Sequence, residues 1–287
     1  MRFASLAAFC VLGLASSVFA SPLLEGRANG IDQATYNDLE RYTKYSSAVY
    51  QLICPSPLGN KLVKSFDISA TQGFVVRDDS RKEIIVAFRG TLEIADAFVD
   101  LQILFTPLKS TGLSGFGDAQ VHTGFLFAYN VVASTVLSTV KAQAAAYPSY
   151  KIIATGHSLG GATASLAAVS IKSALPNATV KLYTYGQPRV GNAAFATYVE
   201  NLIGTDNIFR AVHTYDGVPT ILFKVLGYRH FATEYWNFQD SASPARVKKC
   251  TGGDDPTCSD SIPSTFINPA HLLYFNQVMA INPLLCI

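Results

Sequence analysis

The chain has 287 residues, of which 49% are hydrophobic and 15% are charged. Disordered polymers are more polar and more strongly charged than this, so the composition predicts a folded protein with a large core. Lys and Arg total 22 against 20 Asp and Glu, which gives a formal net charge of +2. This balance gives no support for binding to nucleic acid.

The N-terminus has the features of a secretory signal peptide, which we assign to residues 1–20. Arg2 supplies a positive start, an apolar run of small residues follows, and Val18-Phe19-Ala20 forms a small-x-small cleavage site. A membrane anchor is the alternative, but the apolar run is short for a bilayer span. No other stretch is expected to reach a spanning length.

The predicted elements after this segment alternate between strands and helices. A first helix is expected over residues 36–50, where apolar side chains recur at helical spacing. The remaining expected elements, in chain order, are strands over 73–77 and 83–88, a helix over 122–146, a strand over 151–155, a helix over 159–174, a strand over 179–185, a helix over 192–202 and a strand over 207–213. Such alternation predicts right-handed βαβ units and a largely parallel sheet.

The mature chain is expected to form a single domain over residues 30–287. Residues 21–29 are interpreted as a propeptide or a flexible N-terminus. No internal repeat, low-complexity linker or shift in composition divides the remainder. Asn177 begins the sequon Asn177-Ala178-Thr179 and is a candidate for glycosylation.

Four cysteines remain after the signal segment, and an even number agrees with export to an oxidising compartment. Four cysteines allow three pairings. We favour Cys250–Cys258, which closes a short Gly- and Asp-rich loop, and this choice leaves Cys54–Cys286. No C-x-x-C spacing is present, which argues against a zinc site.

The segment Gly156-His157-Ser158-Leu159-Gly160 has the pattern G-x-S-x-G between a predicted strand and a predicted helix. This is the setting of a nucleophile elbow, a sharp strained turn that exposes a serine Oγ. Side chains two residues before and after the serine would collide with the turn, so Gly156 and Gly160 fit there. The Leu159 amide, at the helix N-terminus, would point to a developing oxyanion. A plain glycine-rich turn is the alternative.

A serine nucleophile needs a base and a group that orients the base. In enzymes with such an elbow, the acid and then the base follow the serine along the chain. Only His230 and His271 follow both Ser158 and a plausible acid. Asp216, after the strand that ends near residue 213, is the preferred acid, and Asp206 is the runner-up on the wrong side of that strand. The other histidines are interpreted as structural: His122, His157 and His213.

Five motifs occur in order along the chain. They are Phe88-Arg89-Gly90-Thr91, Val121-His122-Thr123-Gly124-Phe125, Thr155-Gly156-His157-Ser158-Leu159-Gly160-Gly161, Gly186-Gln187-Pro188-Arg189-Val190-Gly191 and His271-Leu272-Leu273-Tyr274-Phe275. Together they resemble the fungal extracellular lipases of the class 3 lipase family, which also includes feruloyl esterases. The resemblance implies an α/β-hydrolase fold, with a mostly parallel central sheet flanked by helices and a short helical lid.

The same resemblance implies roles for individual residues. Ser158, Asp216 and His271 would form the catalytic triad, and Thr91 would join Leu159 in the oxyanion hole. It also supports a disulfide between the N-terminal region and the C-terminus. No cofactor or metal is implied.

The segment after Thr91 corresponds to the family's lid, and its apolar residues fall largely on one side of a helix. They are Leu92, Ile94, Ala95, Phe98 and Val99. An amphipathic lid suits an enzyme that works at a lipid surface, although an ordinary surface helix has the same pattern. The lid lacks the Trp found in many of these lipases. Apolar residues near the triad, candidates for an acyl groove or for plain core, are Val218, Leu222, Phe223 and Leu272.

The resulting expectation is a secreted, extracellular triacylglycerol lipase that acts as a monomer on acylglycerols at a lipid–water interface. It would have no transmembrane segment and no nucleic-acid partner. The alternatives are a feruloyl or other soluble-ester esterase, a mono- or diacylglycerol lipase, or a phospholipase of the same family.

Overall fold

The structure, a computed structural model, describes residues 30–91, 104–263 and 265–287. The described helices are α1 (Gln33–Ala48), α2 (Thr123–Ala146), α3 (Leu159–Ala174) and α4 (Ala193–Ile203). The side chain of Asp32 caps α1 by accepting a hydrogen bond from the Thr35 amide at 2.8 Å. Asn192 caps α4 in the same way, through the Phe195 amide at 2.9 Å.

An eight-stranded sheet forms the centre of the molecule. Its strands, in chain order, are β1 (Lys61–Ile68), β2 (Thr71–Asp78), β3 (Glu83–Phe88), β6 (Lys151–His157), β7 (Val180–Tyr185), β9 (Ile208–His213), β11 (Glu234–Asn237) and β12 (Val247–Lys249). They lie side by side in the order β1-β2-β3-β6-β7-β9-β11-β12. The pairs from β3 through β11 are parallel, whereas β1–β2, β2–β3 and β11–β12 are antiparallel. The mostly parallel sheet flanked by helices is the expected α/β-hydrolase architecture.

Two hydrophobic clusters cover the two faces of this sheet. Residues of α2, α3 and α4 pack against one face, and residues of α1 pack against the other. All six residues of β3 are buried, and six of the seven residues of β6 are. Strands buried on both faces show continuous apolar runs, which is why β3 and β6 were recognisable in the sequence.

Several strands were not predicted from the sequence. The edge strand β1 has only one buried residue, Phe66, so it lacks a clear apolar pattern. The other unpredicted strands are short: β11, β12, a four-stranded sheet of β4 (Phe105–Pro107), β5 (Gln120–His122), β8 (Gly191–Asn192) and β10 (Tyr228–Arg229), and the pair β13 (Leu273–Tyr274) and β14 (Gln277–Val278). Strands of two to four residues are too short for their periodicity to be read.

Helix α2 corrects the expectation that no stretch after the N-terminus reaches a spanning length. Its 24 residues are long and apolar enough to cross a membrane by length and composition alone. A buried core helix meets the same criteria. One side of α2, which includes Phe125, Tyr129 and Val136, is buried in the cluster that covers the sheet.

Both favoured disulfides are present. Cys54 bonds to Cys286 across a sequence separation of 232 residues, and Cys250 bonds to Cys258 across a separation of 8. The first joins the segment after α1 to the C-terminal 3₁₀ turn Pro283–Cys286. The second closes a local loop beside β12.

Candidate active site

A sharp turn joins the end of β6 to the start of α3, and Ser158 lies at its apex. Its backbone angles are φ 59° and ψ −129°, which an L-residue rarely adopts. A Cβ on Gly156 would lie 2.3 Å from the Gly160 carbonyl oxygen. A Cβ on Gly160 would lie 2.2 Å from the Phe88 carbonyl oxygen. Both approaches are with backbone, so only glycine fits these two positions.

The chain that leaves β3 passes directly beside the serine. A Cβ on Gly90 would lie 3.1 Å from the Ser158 Cβ and 2.7 Å from the His157 carbonyl oxygen. Gly90 therefore lies against the elbow, and Thr91 is the next residue along the chain. The Ser158 side chain is buried, and its Oγ has no hydrogen-bond partner among the described residues.

Asp216 follows β9 and is buried with both carboxylate oxygens occupied. Its Oδ1 accepts from the Val218 amide at 2.9 Å, and its Oδ2 faces His271 Nδ1 at 2.8 Å. The Tyr274 hydroxyl also donates to Oδ2. Burial by itself would raise the pKa of Asp216, but the attraction of His271 and these three hydrogen bonds outweigh it. The pKa of Asp216 therefore lies below its ordinary value, and the carboxylate is charged at neutral pH.

His271 lies in a 3₁₀ turn, Pro269–Leu272, which is called the base turn below. Its ring is fully buried, and Nδ1 faces Asp216. Nε2 has no hydrogen-bond partner among the described residues, which is also true of Ser158 Oγ. An imidazole with one nitrogen held by a carboxylate and the other unoccupied is suited to accept a proton.

Gly186 lies beside this pair with a φ of 57°. A Cβ there would lie 2.8 Å from Asp216 Oδ2 and 2.8 Å from His271 Cε1. Any side chain at this position would therefore displace one of the two. Gly186 and Tyr274 occur in motifs that were quoted for the resemblance, but the sequence alone assigned neither of them a role.

His157 was predicted to be structural and is buried next to the elbow. Its Nδ1 is 2.8 Å from the Tyr50 hydroxyl, and its Nε2 is 2.7 Å from the His271 carbonyl oxygen. Burial, followed by the nearness of His271, holds the pKa of His157 well below its ordinary value. The ring is therefore neutral. Tyr50, which sequence reasoning missed, is more than 100 residues away along the chain and carries no motif of its own.

The candidates that were not preferred make other contacts or lie in an exposed turn. Asp206 is exposed in the 3₁₀ turn Thr205–Asn207, which precedes β9 as expected. His230 is buried, and its Nε2 bonds to the Pro219 carbonyl oxygen at 2.8 Å rather than to a carboxylate. Burial lowers the pKa of His230 well below its ordinary value. His122 caps α2 by accepting from the Gly124 amide at 3.1 Å, which agrees with a structural role.

The residues suggested for an acyl groove divide into two groups. Val218 and Leu222 are buried, and Leu222 belongs to the hydrophobic core. Phe223 and Leu272 are 39% and 43% exposed, so these two are available to a ligand. The apolar lid residues 92–99 lie outside the described part of the chain.

One cluster of three possible metal ligands occurs among the described residues: Glu234, Cys250 and Cys258. The two cysteines are joined in a disulfide, and Glu234 Oε2 pairs with Arg210 at 3.2 Å. A disulfide sulfur is a poor metal ligand because the thiolate is the binding form. The cluster is therefore structural.

Comparisons with known proteins identify the family of this chain. The family model for class 3 lipases matches residues 85–226. A secreted alkaline triacylglycerol lipase of Penicillium cyclopium is 32% identical over 93% of this chain and 93% of its own length. A secreted mono- and diacylglycerol lipase of Fusarium solani is 35% identical over 74% of this chain and 62% of its own. The crystal structure of a triacylglycerol lipase from Penicillium expansum, 30% identical, superposes with a TM-score of 0.81 over 87% of this chain and 96% of that one. The chain belongs to the class 3 lipase family.

Proposed function

We propose that the protein is a triacylglycerol lipase that hydrolyses acylglycerol esters through Ser158, Asp216 and His271. One observation carries the proposal. A buried Asp216–His271 pair and a strained serine elbow leave His271 Nε2 and Ser158 Oγ as buried polar atoms without partners in the described chain. Buried polar groups are normally satisfied, so such a pair suits proton transfer to and from a substrate.

In the first half-reaction, Ser158 Oγ attacks the ester carbonyl carbon while His271 Nε2 takes the hydroxyl proton. Asp216 holds the Nδ1–H tautomer and stabilises the imidazolium that forms. The carbonyl oxygen becomes an oxyanion, for which the amides of Leu159 and Thr91 are the proposed donors. His271 then gives its proton to the glycerol oxygen, the C–O bond breaks, and an acyl-enzyme remains.

In the second half-reaction, water attacks the acyl-enzyme. His271 takes a proton from the water and returns it to Ser158 Oγ as the carboxylic acid leaves. The serine, the histidine and the oxyanion donors therefore serve both halves, and no cofactor is required. Loss of one oxyanion donor in other enzymes costs about 3 kcal/mol of transition-state stabilisation.

Mono- and diacylglycerols are the second candidate substrates. The Fusarium relative is named for them, and its identity to this chain is close to that of the triacylglycerol lipase. Methyl ferulate is the test substrate for the alternative of a soluble-ester esterase. Phospholipids are the substrates of the last alternative, a phospholipase. Phe223 and Leu272, the exposed apolar residues near the triad, are the proposed contacts for an acyl chain.

We also propose that the enzyme is secreted and monomeric. The two relatives above are named as secreted proteins, and two disulfides suit an oxidising compartment. Asn177 lies exposed in the turn between α3 and β7, which makes its sequon accessible for glycosylation. Residues 1–20 remain assigned to the signal peptide.

The test is hydrolysis of tributyrin by wild type and Ser158→Ala, followed through the solubility limit of the substrate, beside monobutyrin and methyl ferulate. A Ser158-dependent rate that rises once droplets form is expected. Faster cleavage of monobutyrin would shift the substrate to partial glycerides, and faster cleavage of methyl ferulate would indicate a soluble-ester esterase. Full activity of Ser158→Ala would overturn the mechanism.

A further inference from the structure

The base turn is bound on two consecutive carbonyl groups by two different histidines. The carbonyl oxygen of His271 is 2.7 Å from His157 Nε2. The carbonyl oxygen of the preceding residue, Ala270, is 2.9 Å from His213 Nδ1. A carbonyl oxygen only accepts, so each of these ring nitrogens carries a proton and donates it.

The second ring nitrogen of His157, Nδ1, is also hydrogen-bonded. Because its Nε2 donates to His271 and its ring is neutral, its Nδ1 must accept, and the Tyr50 hydroxyl 2.8 Å away is the donor. Tyr50 and His157 are both fully or almost fully buried. The chain Tyr50–His157–His271 therefore connects the end of α1 and the elbow to the backbone of the base turn.

His213 is held by a different part of the molecule, and its second ring nitrogen faces an acceptor rather than a donor. It is the last residue of β9, and its Nε2 faces Asp240 Oδ1 at 2.7 Å. The ring is buried although Asp240 is exposed. His213 therefore connects β9, the strand that leads to Asp216, to the base turn.

We propose that His157 and His213 are a pair of positioning residues that together set the orientation of the catalytic base. The proposal rests on the proposed function, because it takes His271 as that base. The His271 side chain has one strong contact, with Asp216. Within the base turn, the His271 amide bonds to the Asn268 carbonyl oxygen. The Leu273 amide bonds to the Ala270 carbonyl oxygen. The bonds from His157 and His213 are added to these, and they fix the rotation of the turn relative to the elbow and to β9.

The size of the effect follows from the tolerance of proton transfer. A misplacement of about 1 Å in a reacting group reduces turnover by about 100-fold. Loss of one of the two donors lets the turn rotate about the other, so each single replacement should lower kcat by about 10- to 100-fold. Phe223 lies outside the turn and Leu272 keeps its side chain, so KM should change by less than kcat.

The test compares His157→Phe and His213→Phe with His230→Phe. His230 is the matched control, because it is also a buried histidine whose Nε2 bonds to a backbone carbonyl, but that carbonyl belongs to Pro219 and not to the base turn. Initial rates on p-nitrophenyl butyrate give kcat and KM at a temperature well below the Tm of every variant. A fluorophosphonate label gives the reactivity of Ser158 independently of any ester.

We expect kcat and the labelling rate to fall for His157→Phe and His213→Phe, and to stay near wild type for His230→Phe. His157→Gln keeps an N–H donor and should recover part of the loss. If His157→Phe does not fold, Tyr50→Phe tests the same chain, because it removes only the hydroxyl that holds His157.

Two results would overturn the proposal. One is a kcat within twofold of that of His230→Phe for both His157→Phe and His213→Phe. The other is a loss that glutamine does not reduce and that follows Tm across all the variants, since that pattern indicates general destabilisation. Failure of the proposed function has a different signature, because Ser158→Ala would then retain activity.

Discussion

The elbow and the base turn reach their geometry in opposite ways. Around Ser158, the strained backbone is made possible by two neighbours in sequence, Gly156 and Gly160. A Cβ at either position would collide with backbone atoms. Around His271, the geometry depends on groups far away in sequence. Tyr50 holds His157, which binds the His271 carbonyl oxygen. His213 binds the carbonyl oxygen of Ala270. The turn around the proposed nucleophile depends on glycines beside it in sequence, whereas the proposed base is positioned by the tertiary fold.

This difference determines which substitutions each region tolerates. In the elbow the constraint is steric, so adding one methyl group is harmful and removing a distant hydrogen bond has little effect. In the base turn the constraint is a set of polar contacts, so deleting a distant donor is harmful. The predictions below test that contrast, in order of decreasing effect.

Asp216→Asn is expected to produce the largest effect. The amide keeps the shape of the carboxylate but neither holds the correct His271 tautomer nor stabilises the imidazolium, so kcat should fall by about 10⁴-fold. Steady-state kinetics on p-nitrophenyl butyrate measure it. Asp206→Asn, in an exposed turn at the opposite edge of the sheet, is the control and should match wild type. Equal losses in the two variants would refute the assignment of Asp216.

Removal of the Cys54–Cys286 disulfide tests how much this cross-link between distant parts of the chain stabilises the fold. Replacing both cysteines by Ser should lower the free energy of unfolding by about 2–5 kcal/mol, because the unfolded chain loses a long cross-link. Denaturant unfolding measures the change. The double variant that lacks Cys250–Cys258 should lose less, since its separation is 8 residues rather than 232. The opposite ranking would contradict the chain-entropy explanation.

Gly160→Ala tests whether the elbow around Ser158 is constrained by the space around its glycines. The added Cβ meets the Phe88 carbonyl oxygen at 2.2 Å, so the elbow must shift, at a cost of about 1–3 kcal/mol of stability and a large loss of activity. Gly115→Ala is the matched control, because its Cβ meets nothing within 4 Å and only its φ of 66° is unfavourable. Activity and Tm measure both variants. A fully active Gly160→Ala enzyme would show that the elbow is less constrained than proposed.

The smallest expected effect is a gradual change of the free energy of unfolding with pH. His157 and His230 have lowered pKa values in the folded state, so the unfolded chain binds more protons below about pH 6.5. Stability should therefore fall as the pH falls, by about 1.4 kcal/mol per pH unit for each histidine. The lowered pKa of Asp216 adds a loss in the same direction below about pH 4.

Urea unfolding between pH 4 and 7 measures this slope. His157→Phe and His230→Phe should each reduce the slope by the contribution of one proton, about 1.4 kcal/mol per pH unit. Only His157→Phe should also reduce kcat. A slope that neither variant changes would mean that these two rings are not neutral in the folded protein. The control is the slope above pH 7, where both rings are neutral in the unfolded chain as well.

The contrast between the two regions also explains what could be predicted from the sequence. The strand, elbow and helix around Ser158 were predicted almost to the residue, because β6 is a continuous buried run and α3 begins directly after the serine. The expected acid and base likewise lie together, with His271 Nδ1 at 2.8 Å from Asp216. Their selection depended on chain order and on the family resemblance.

The residues that we propose to position His271 were not predictable from the sequence. Tyr50 lies two residues beyond the end of α1, a helix that contains several tyrosines. Nothing in its sequence neighbourhood distinguishes it from Tyr42 or Tyr45. His157 was interpreted as structural because it adjoins the serine, and His213 because it precedes the expected acid. Sequence order gives no information about which carbonyl a ring will face. The same limit applies to the short strands, whose partners are set by packing rather than by pattern.

Helix α2 has a consequence for the export that we propose. A chain that crosses a membrane during secretion presents each apolar segment to the translocation machinery in turn, and α2 has the length and composition of a membrane span. The solvent-facing side of α2 carries Asn130, Ser138 and Lys141. Those side chains contribute nothing to the core, yet they reduce the partitioning of the segment into lipid. Asn130 also donates to the Lys109 carbonyl oxygen at 3.1 Å. Replacing Ser138 and Lys141 with leucine would leave the core packing unchanged and would favour arrest of the nascent chain in the bilayer.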